Sequence, residues 1–281
     1  MYIYVIIPVY NRIHYTKKII SCLREQTLRN IIKIIVVDDG STDNTGKWLK
    51  KQNDIETLKG NGKLLWAGAV NLAIKNIFKK KTENDWILLI NNDVEIKNDY
   101  VEILYNIARS NYPAAVGSIV KSKNEKLISI GARILTHELK VKEIYNNNFT
   151  YKKSDFLKNI DVLSGRGVLY PLKSIIQVNG LRPNLIPHYF ADYDLSLRVK
   201  KKGYNLLISM NAVIYSDDNF DLVKEKRKKE NIIYKNFARK SSSLFYSKFF
   251  FWWTALSNIE KINLPFRIIK FIILTGSRKS L

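Results

Sequence analysis

The sequence predicts an α/β fold, with a mostly parallel central sheet flanked by helices. Two observations carry this. In the first half of the chain, short runs rich in Ile, Val and Leu alternate with segments whose apolar residues recur at helical spacing. Three of those runs stop on polar clusters, at Tyr10-Asn11-Arg12, Asp38-Asp39-Gly40 and Asn91-Asn92-Asp93. In a parallel sheet, ligands bind at the carboxyl ends of the strands.

In chain order, Tyr2–Pro8 is an apolar strand, and Tyr15–Gln26 is a helix with Ile19, Ile20 and Leu23 on one face. Lys33–Asp38 is a second strand and Thr42–Lys51 a second helix. Ile55–Leu58 is a short strand, and Trp66–Phe78 is a helix that aligns Val70, Ala73, Ile74 and Ile77. Asp85–Ile90 is a fourth strand, and Tyr100–Arg109 is another helix. Strands that need helices on both sides read as near-continuous apolar runs, as these do.

After residue 113 the rhythm changes. Ala115–Val120, Leu127–Leu135 and Leu139–Tyr145 read as strands or hairpin pieces, and Asn146-Asn147-Asn148 as a polar loop. Val162–Tyr170 reads as a strand containing Ser164-Gly165-Arg166-Gly167, with Pro171 opening a short helix. Phe190–Lys202 is a helix ended by Gly203, followed by short strands at Tyr204–Ile208 and Ala212–Tyr215. From Leu222 onward the chain is helical, basic and amphipathic. A boundary near Asp217–Phe220 divides a domain at 1–220, with halves 1–112 and 113–220, from a tail at 221–281.

The 281 residues suffice for one large domain with an appendage. The single cysteine, Cys22, reads as a small buried hydrophobe, and the lack of a disulfide framework fits a reducing cytoplasm. The first residues have no basic leader or cleavage site. No run reaches the roughly 18 uninterrupted apolar residues of a membrane span. The net charge is +22, and residues 221–281 hold 14 Lys/Arg against 4 Asp/Glu. Part of this charge follows a general Lys, Ile and Asn bias. The excess in the tail suggests an anionic partner surface, lipid headgroups or nucleic acid.

Four segments are candidates for chemistry. Asp38-Asp39-Gly40-Ser41-Thr42-Asp43 places two carboxylates at a strand end, where Asp39 can accept a hydrogen bond from a nucleobase N–H; ordinary strand–turn–cap chemistry explains it equally well. Asn91-Asn92-Asp93 holds a carboxylate where a hard cation can sit. Mg²⁺ takes one or two protein carboxylates and completes its shell with water and substrate phosphates, although the same triplet is also a turn signal. In Ala191–Arg198, an i,i+4 ion pair accounts for Asp194 and Arg198 but leaves Asp192, at the mouth of the helix, as a candidate general base. Gly60-Asn61-Gly62-Lys63 before the helix at Trp66 suits an anionic ligand, without the spacing of a P-loop. The first strand also lacks the Gly-rich turn of a dinucleotide fold. Of the three histidines, His14 and His137 read as structural or surface residues and His188 as a neighbour of the cleft.

Taken in order, VIIPVYNR at 5–12, IIVVDDGSTDNT at 34–45, ILLINNDVEI at 87–96, LSGRGVLYP at 163–171 and ADYDLSLR at 191–198 resemble glycosyltransferase family 2, over roughly residues 3–216. The resemblance implies the Rossmann-like GT-A fold and inverting sugar transfer from a nucleotide-diphosphate donor, UDP- or dTDP-linked, to a hydroxyl of a glycan or lipid-linked glycan. Pro8, Tyr10 and Asp39 would contact the nucleoside, and Asn92 would lie near the ribose. Asp93 would coordinate Mg²⁺ or Mn²⁺ on the diphosphate, and Asp192 would deprotonate the acceptor. Asn11, Gly62, Asn91 and Arg166 would line the donor site. The segment 60–71 is similar to a rhamnosyltransferase branch in which Trp66 and Asn71 shape the donor pocket. Two positions depart from the family pattern. Asn91 stands where the first acid of the D-x-D segment falls, and Ser216-Asp217 stands where many relatives place a metal-binding His.

Bacterial surface polysaccharide or glycolipid synthesis is the expected setting, in the cytoplasm or on the inner face of the plasma membrane. The tail, with Phe249-Phe250-Phe251-Trp252-Trp253 and then Leu264–Leu274, would contact anionic lipid, pack on the catalytic domain, or pack on a second copy of the chain. The rival readings are a sugar-phosphate nucleotidyltransferase, which needs a Gly-rich basic loop after the first strand, and a nucleic-acid- or membrane-binding protein without activity. No nucleic-acid-binding motif is present in the sequence.

Overall fold

The structure is a computed structural model that describes residues 1–79, 84–144, 155–216 and 245–267. Its N-terminal half is built from β1 (Ile3–Val9), α1 (Ile13–Arg24), β2 (Ile32–Asp38), α2 (Thr45–Leu49), β3 (Ile55–Lys59), α3 (Leu65–Phe78) and β4 (Trp86–Leu89). The chain continues through β5 (Val94–Ile96), α4 (Tyr100–Ser110), β6 (Ala114–Ser122), β7 (Leu127–Ser129), β8 (Ala132–Leu135), β9 (Lys140–Glu143), β10 (Phe156–Leu157), β11 (Val168–Pro171), α5 (Leu172–Gln177), α6 (Ala191–Lys201) and β12 (Asn205–Ser216). Two helices follow, α7 (Phe245–Ala255) and α8 (Asn258–Ile262).

The main sheet runs β10-β12-β6-β11-β4-β1-β2-β3, with β5 on β12 and β7 on β6. Strands β3, β2, β1 and β4 are parallel, as are β6 and β12. Antiparallel β11 joins the two sets by pairing with both β4 and β6. The β1 residues Ile3, Val5, Ile7 and Val9 face one core with Ile19, Ile20 and Leu23 of α1 and Leu104 of α4. Tyr4 and Ile6 face the opposite core with Val70, Ile74 and Ile77 of α3 and Leu195 of α6. Burial on both faces is why these strands carry no polar alternation.

The structure corrects several boundaries. Residues 162–170 are not one strand. Val162 makes only an isolated bridge to Ala132, and β11 starts at Val168, after a turn in which Gly167 has φ +80° and its amide donates to the Leu89 carbonyl at 2.9 Å. Pro171 closes β11 and caps α5 instead of opening it. Residues 205–216 form one strand with a register shift between Ile208 and Val213. Ser209 Oγ accepts the amides of Asn211 and Ala212 through that irregularity, which reads locally as a break. Gly131, at φ +88°, divides the predicted 127–135 strand into β7 and β8. β8 pairs with β9 in a separate hairpin. Helix α2 starts at Thr45, not Thr42, because Asn44 is left-handed and Asp43 accepts both the amide and the hydroxyl of Thr45. Strand β5 had no distinct sequence signal. The predicted boundary at 217–220, the helical start at Leu222 and the stretch after Arg267 lie outside the described residues.

The aromatic run of the tail is docked on the α/β domain. Phe251 is fully buried and Trp252 nearly so. The Phe251 ring stacks on Phe190 at 5.0 Å, just ahead of α6. Thr254 Oγ1 donates to Asp194 at 3.2 Å and accepts from Arg182 at 2.6 Å. Packing on the domain is therefore what the structure shows for this segment, and Phe251 and Trp252 are not available to lipid.

Candidate active site

The ends of β1, β2 and β4 lie side by side at the carboxyl edge of the parallel strands, and side chains of the polar clusters tie together the segments that follow them. Asn11, with φ +50°, accepts the Thr42 amide at 2.6 Å, while its own amide donates to Ser41 Oγ at 3.0 Å. Asp43 accepts the first amide of α1, from Ile13, at 3.0 Å. Pro8 is partly buried within β1, and Tyr10 is half-exposed just beyond its end. Asp39 is buried, and its carboxylate accepts three backbone amides, Gly62 at 2.9 Å, Leu64 at 3.0 Å and Leu65 at 3.2 Å. It thus fixes the 60–65 loop at the start of α3. A carboxylate has about four acceptor positions, so one remains for a base N–H.

The three residues after β4 have three different attachments. Asn91 Oδ1 accepts from the Trp66 indole at 3.0 Å. Asn92 is buried, and its amide donates to Thr16 of α1 at 3.1 Å, so that nitrogen braces the helix. Asp93 stays partly exposed, and Arg12 Nη1 donates to its Oδ2 at 2.5 Å. Strand register sets Ser216 opposite Val94, one residue from Asp93, so the position where a family His was sought does adjoin the D-x-D segment. Asp217 lies outside the described residues. Among the described residues no group of three or more His, Cys, Asp and Glu forms a metal cluster. The donor set still suits a hard cation that brings its own phosphate oxygens: an accessible carboxylate at a strand end, beside a serine-bearing strand end.

Asp192 is the second residue of α6, just after left-handed Phe190 (φ +69°). A carboxylate here is stabilised by the helix N-terminus. Its Oδ2 accepts the Gly165 amide at 2.8 Å and its Oδ1 accepts the Tyr193 amide at 2.9 Å. Desolvation pushes its pKa up, against the pull of those amides and of the Arg166 guanidinium, and the net shift is upward. A carboxylate shifted in that direction is a better proton acceptor near neutral pH. Gly165 is wedged beside it: a Cβ there would lie 2.5 Å from the Trp66 ring and 3.1 Å from Asp192 Cβ. Trp66, Asn91, Gly165 and Asp192 thus form a continuous wall linking the end of β4 to α6.

Asn71 is buried and accepts the Leu181 amide at 3.0 Å, bracing the 180–181 turn behind α3. His137 and His14 are exposed, as expected. His188 packs edge-on to Tyr189 at 4.7 Å, ahead of α6. The Asp194–Arg198 pair forms at 2.8 Å, with Arg182 as a second partner of Asp194.

Two features had no sequence signal. One is the Arg12–Asp93 pair. The other is Glu143 at the end of β9. It accepts Ser129 Oγ at 2.8 Å and lies 3.4 Å from the hydroxyl of Tyr193, the residue after Asp192. Burial raises its pKa, and the charge of Asp192 adds to the rise. It stands on a hairpin distant in sequence from every motif, so nothing local marks it.

A mixed α/β sheet of this order, with helices on both faces, is the GT-A arrangement. Solved structures share this fold. GalNAc-T7, solved with UDP, GalNAc and Mn²⁺, aligns with a TM-score of 0.63 at 12% identity, over 77% of this chain and 44% of that one. TarS residues 1–349 from S. aureus align at 0.57 and 17% identity, over 95% and 72%. The mannosyltransferase PcManGT from Pyrobaculum calidifontis, solved with GDP-Man and Mn²⁺, aligns at 0.53 and 15% identity, over 99% and 76%. The chain belongs to glycosyl transferase family 2, whose profile matches residues 4–173. Among curated relatives, the glycosyltransferase GlyA of Streptococcus pneumoniae serotype 4 is 29% identical over 181 residues, 62% of this chain and 25% of that protein. GlyG of the same organism is 28% identical over 151 residues, 50% of this chain and 48% of that protein. The chain thus spans a quarter to a half of the length of these relatives.

Proposed function

We propose that this protein transfers a sugar from a nucleotide-diphosphate donor to a hydroxyl acceptor with inversion, in one displacement. The observation that carries the reading is the Asp192 carboxylate, held by the Gly165 and Tyr193 amides on the same wall as the donor loop. A carboxylate oxygen of Asp192 takes the acceptor proton as the acceptor oxygen attacks the anomeric carbon. The bond to the donor diphosphate breaks on the opposite face. Asp39 holds the 60–65 loop and offers its remaining acceptor position to the base. Tyr10 and Pro8 border the nucleoside, and Trp66, fixed by Asn91, separates the donor site from the base. Asp93 would hold Mg²⁺ or Mn²⁺, with shell positions left for diphosphate oxygens and water. Such an ion supplies Lewis-acid stabilisation of the leaving diphosphate. Arg166 places positive charge near Asp192.

The donor in this reading is UDP- or dTDP-linked. A deoxyhexose such as rhamnose is the first sugar to try, given the 60–71 segment, and GDP-mannose is added because PcManGT was solved with it. The acceptor is a glycan or lipid-linked glycan of bacterial surface polysaccharide or glycolipid synthesis, and the enzyme works in the cytoplasm at the inner membrane face. No helix among the described residues is long and apolar enough to cross a membrane. Peripheral contact is assigned to the exposed Trp253, Ile259, Ile262 and Phe266. The test is a panel of UDP-, dTDP- and GDP-sugars with Mg²⁺ or Mn²⁺, scored for nucleoside diphosphate release in the presence of a membrane glycolipid extract. Release confined to one nucleotide class and dependent on the extract supports the reading. No release from any donor contradicts it.

A further inference from the structure

Arg12 leaves the end of β1 and reaches across to Asp93, a residue 81 positions away, with Nη1 at 2.5 Å from Oδ2. Both side chains keep contact with water, at 48% and 30% of full exposure. The backbone of Arg12 is fixed independently, because its carbonyl accepts the amide and the hydroxyl of Thr16, both at 2.9 Å, in the first turn of α1. The guanidinium can therefore swing without disturbing the helix. The nearby Lys18 and Lys123 both pair with Glu95, at 2.6 Å and 3.2 Å.

We propose that Arg12 is the resting counter-ion of Asp93 and becomes a ligand of the donor diphosphate, leaving the Asp93 carboxylate to the divalent ion. The inference rests on the reading of Asp93 as the donor-metal residue. A guanidinium and a dication cannot share one carboxylate oxygen at contact distance, because like charges repel there. The second oxygen of Asp93 can receive the ion first, and repulsion between that ion and the Arg12 guanidinium on Oδ2 then drives the pair open. Exposed Arg–carboxylate pairs are weak, so opening this one costs little. Once released, the planar fork of arginine matches phosphate oxygens in a bidentate way that a lysine does not. The metal alone thus meets a competing cation, whereas metal and diphosphate arriving together find that cation a second site. The exchange makes metal and nucleotide binding mutually reinforcing.

The experiment is titration calorimetry on the full chain, with Mn²⁺ alone and then with UDP, dTDP and GDP at saturating Mn²⁺. Arg12→Ala is expected to bind Mn²⁺ alone about two- to fivefold more tightly than wild type, the factor set by losing an exposed ion pair. It is expected to bind the preferred nucleotide with Mn²⁺ at least about tenfold more weakly, the factor set by losing a charge-assisted hydrogen bond. Arg12→Lys, which keeps the charge but not the fork, should hold Mn²⁺ affinity near wild type and still lose nucleotide affinity. A general folding defect would weaken both measurements, so the opposite signs identify the exchange. Unchanged or weakened Mn²⁺ binding in Arg12→Ala overturns the proposal, as does unchanged nucleotide binding. If wild type shows no Mn²⁺-dependent binding of any of the three nucleotides, the metal reading of Asp93 fails first and the proposal falls with it.

Discussion

The Gly165 amide donates to Asp192 Oδ2 at 2.8 Å, and the same glycine leaves no room for a side chain between Asp192 and the Trp66 ring. The Asp192 carboxylate is thus oriented by a backbone donor from a loop that only glycine can bring this close. Gly165→Ala places a Cβ 2.5 Å from the indole, so the loop or the ring must move. Transfer is expected to fall at least about tenfold, in line with small displacements at catalytic groups. Nucleotide binding, which relies on residues of the β1, β2 and β4 ends, should change less. Steady-state kinetics alongside nucleotide titration check this, and unchanged turnover would show that the Gly165 contact does not orient the base.

The raised pKa of Asp192 gives the pH profile a direction. The base works only when ionised, so activity falls as pH drops through its folded-state pKa. The acidic limb of kcat/KM should therefore sit above the ordinary carboxylate range. A limb at or below that range would mean that desolvation does not govern this group.

Glu143 offers a stability test that is independent of substrate. Burial raises its pKa above the unfolded value, so its favourable contribution exists in the protonated form, below the unfolded pKa. That contribution is lost as pH rises through the folded pKa. Glu143→Gln, which keeps one acceptor oxygen for one of the two hydroxyls and turns an NH2 donor toward the oxygen of the other, should melt at a higher temperature than wild type at neutral pH. The difference should vanish at acidic pH, below the ordinary glutamate value. Thermal melts across pH check the sign, and a less stable variant at neutral pH would contradict it.

The tail helix α7 is expected to behave as part of the catalytic domain. Phe251 is fully buried against Phe190, and truncating a buried Phe to Ala typically costs about 3–5 kcal/mol. Phe251→Ala should lower the denaturation midpoint by a corresponding amount and slow transfer, because Phe190 is the residue that turns the chain into α6. Chemical denaturation with a parallel activity assay measures both effects. An unchanged midpoint would show α7 to be undocked in solution.

The parallel half of the fold was legible in the sequence, because β1, β2 and β4 are buried on both faces and end on polar clusters that the sheet edge gathers. Asp192 stands out in the sequence by subtraction, since helix pairing explains Asp194 and Arg198 and leaves it over. Residues 162–170 were misread because Val162, Leu163 and Val168–Tyr170 are all buried, although the chain turns sharply at Gly165–Gly167 between them. Burial reports an apolar environment, not a backbone conformation. The single long strand β12 was split for the converse reason, since Ser209 bridges an irregularity that looks like an end. Asn92 and Asn71 sit in the segments the motifs marked, but their side-chain amides bond to Thr16 and to the Leu181 backbone, which only the packed structure reveals. Glu143 and the Arg12–Asp93 pair depend on contacts between distant segments. The buried face of α7 depends on the surface of α6, to which periodicity in the tail is blind.

The central claim is that Asp192 is the base of a sugar transfer whose donor site is built elsewhere on the same wall. The most direct measurement compares wild type with Asp192→Asn, in parallel, for transfer from the preferred nucleotide-sugar and for its equilibrium binding. The account predicts that transfer is lost while donor affinity stays near wild type, because the Asn oxygen can still accept the Gly165 amide and no donor contact is removed. Retained transfer, or a loss of donor affinity as large as the loss of transfer, would contradict it.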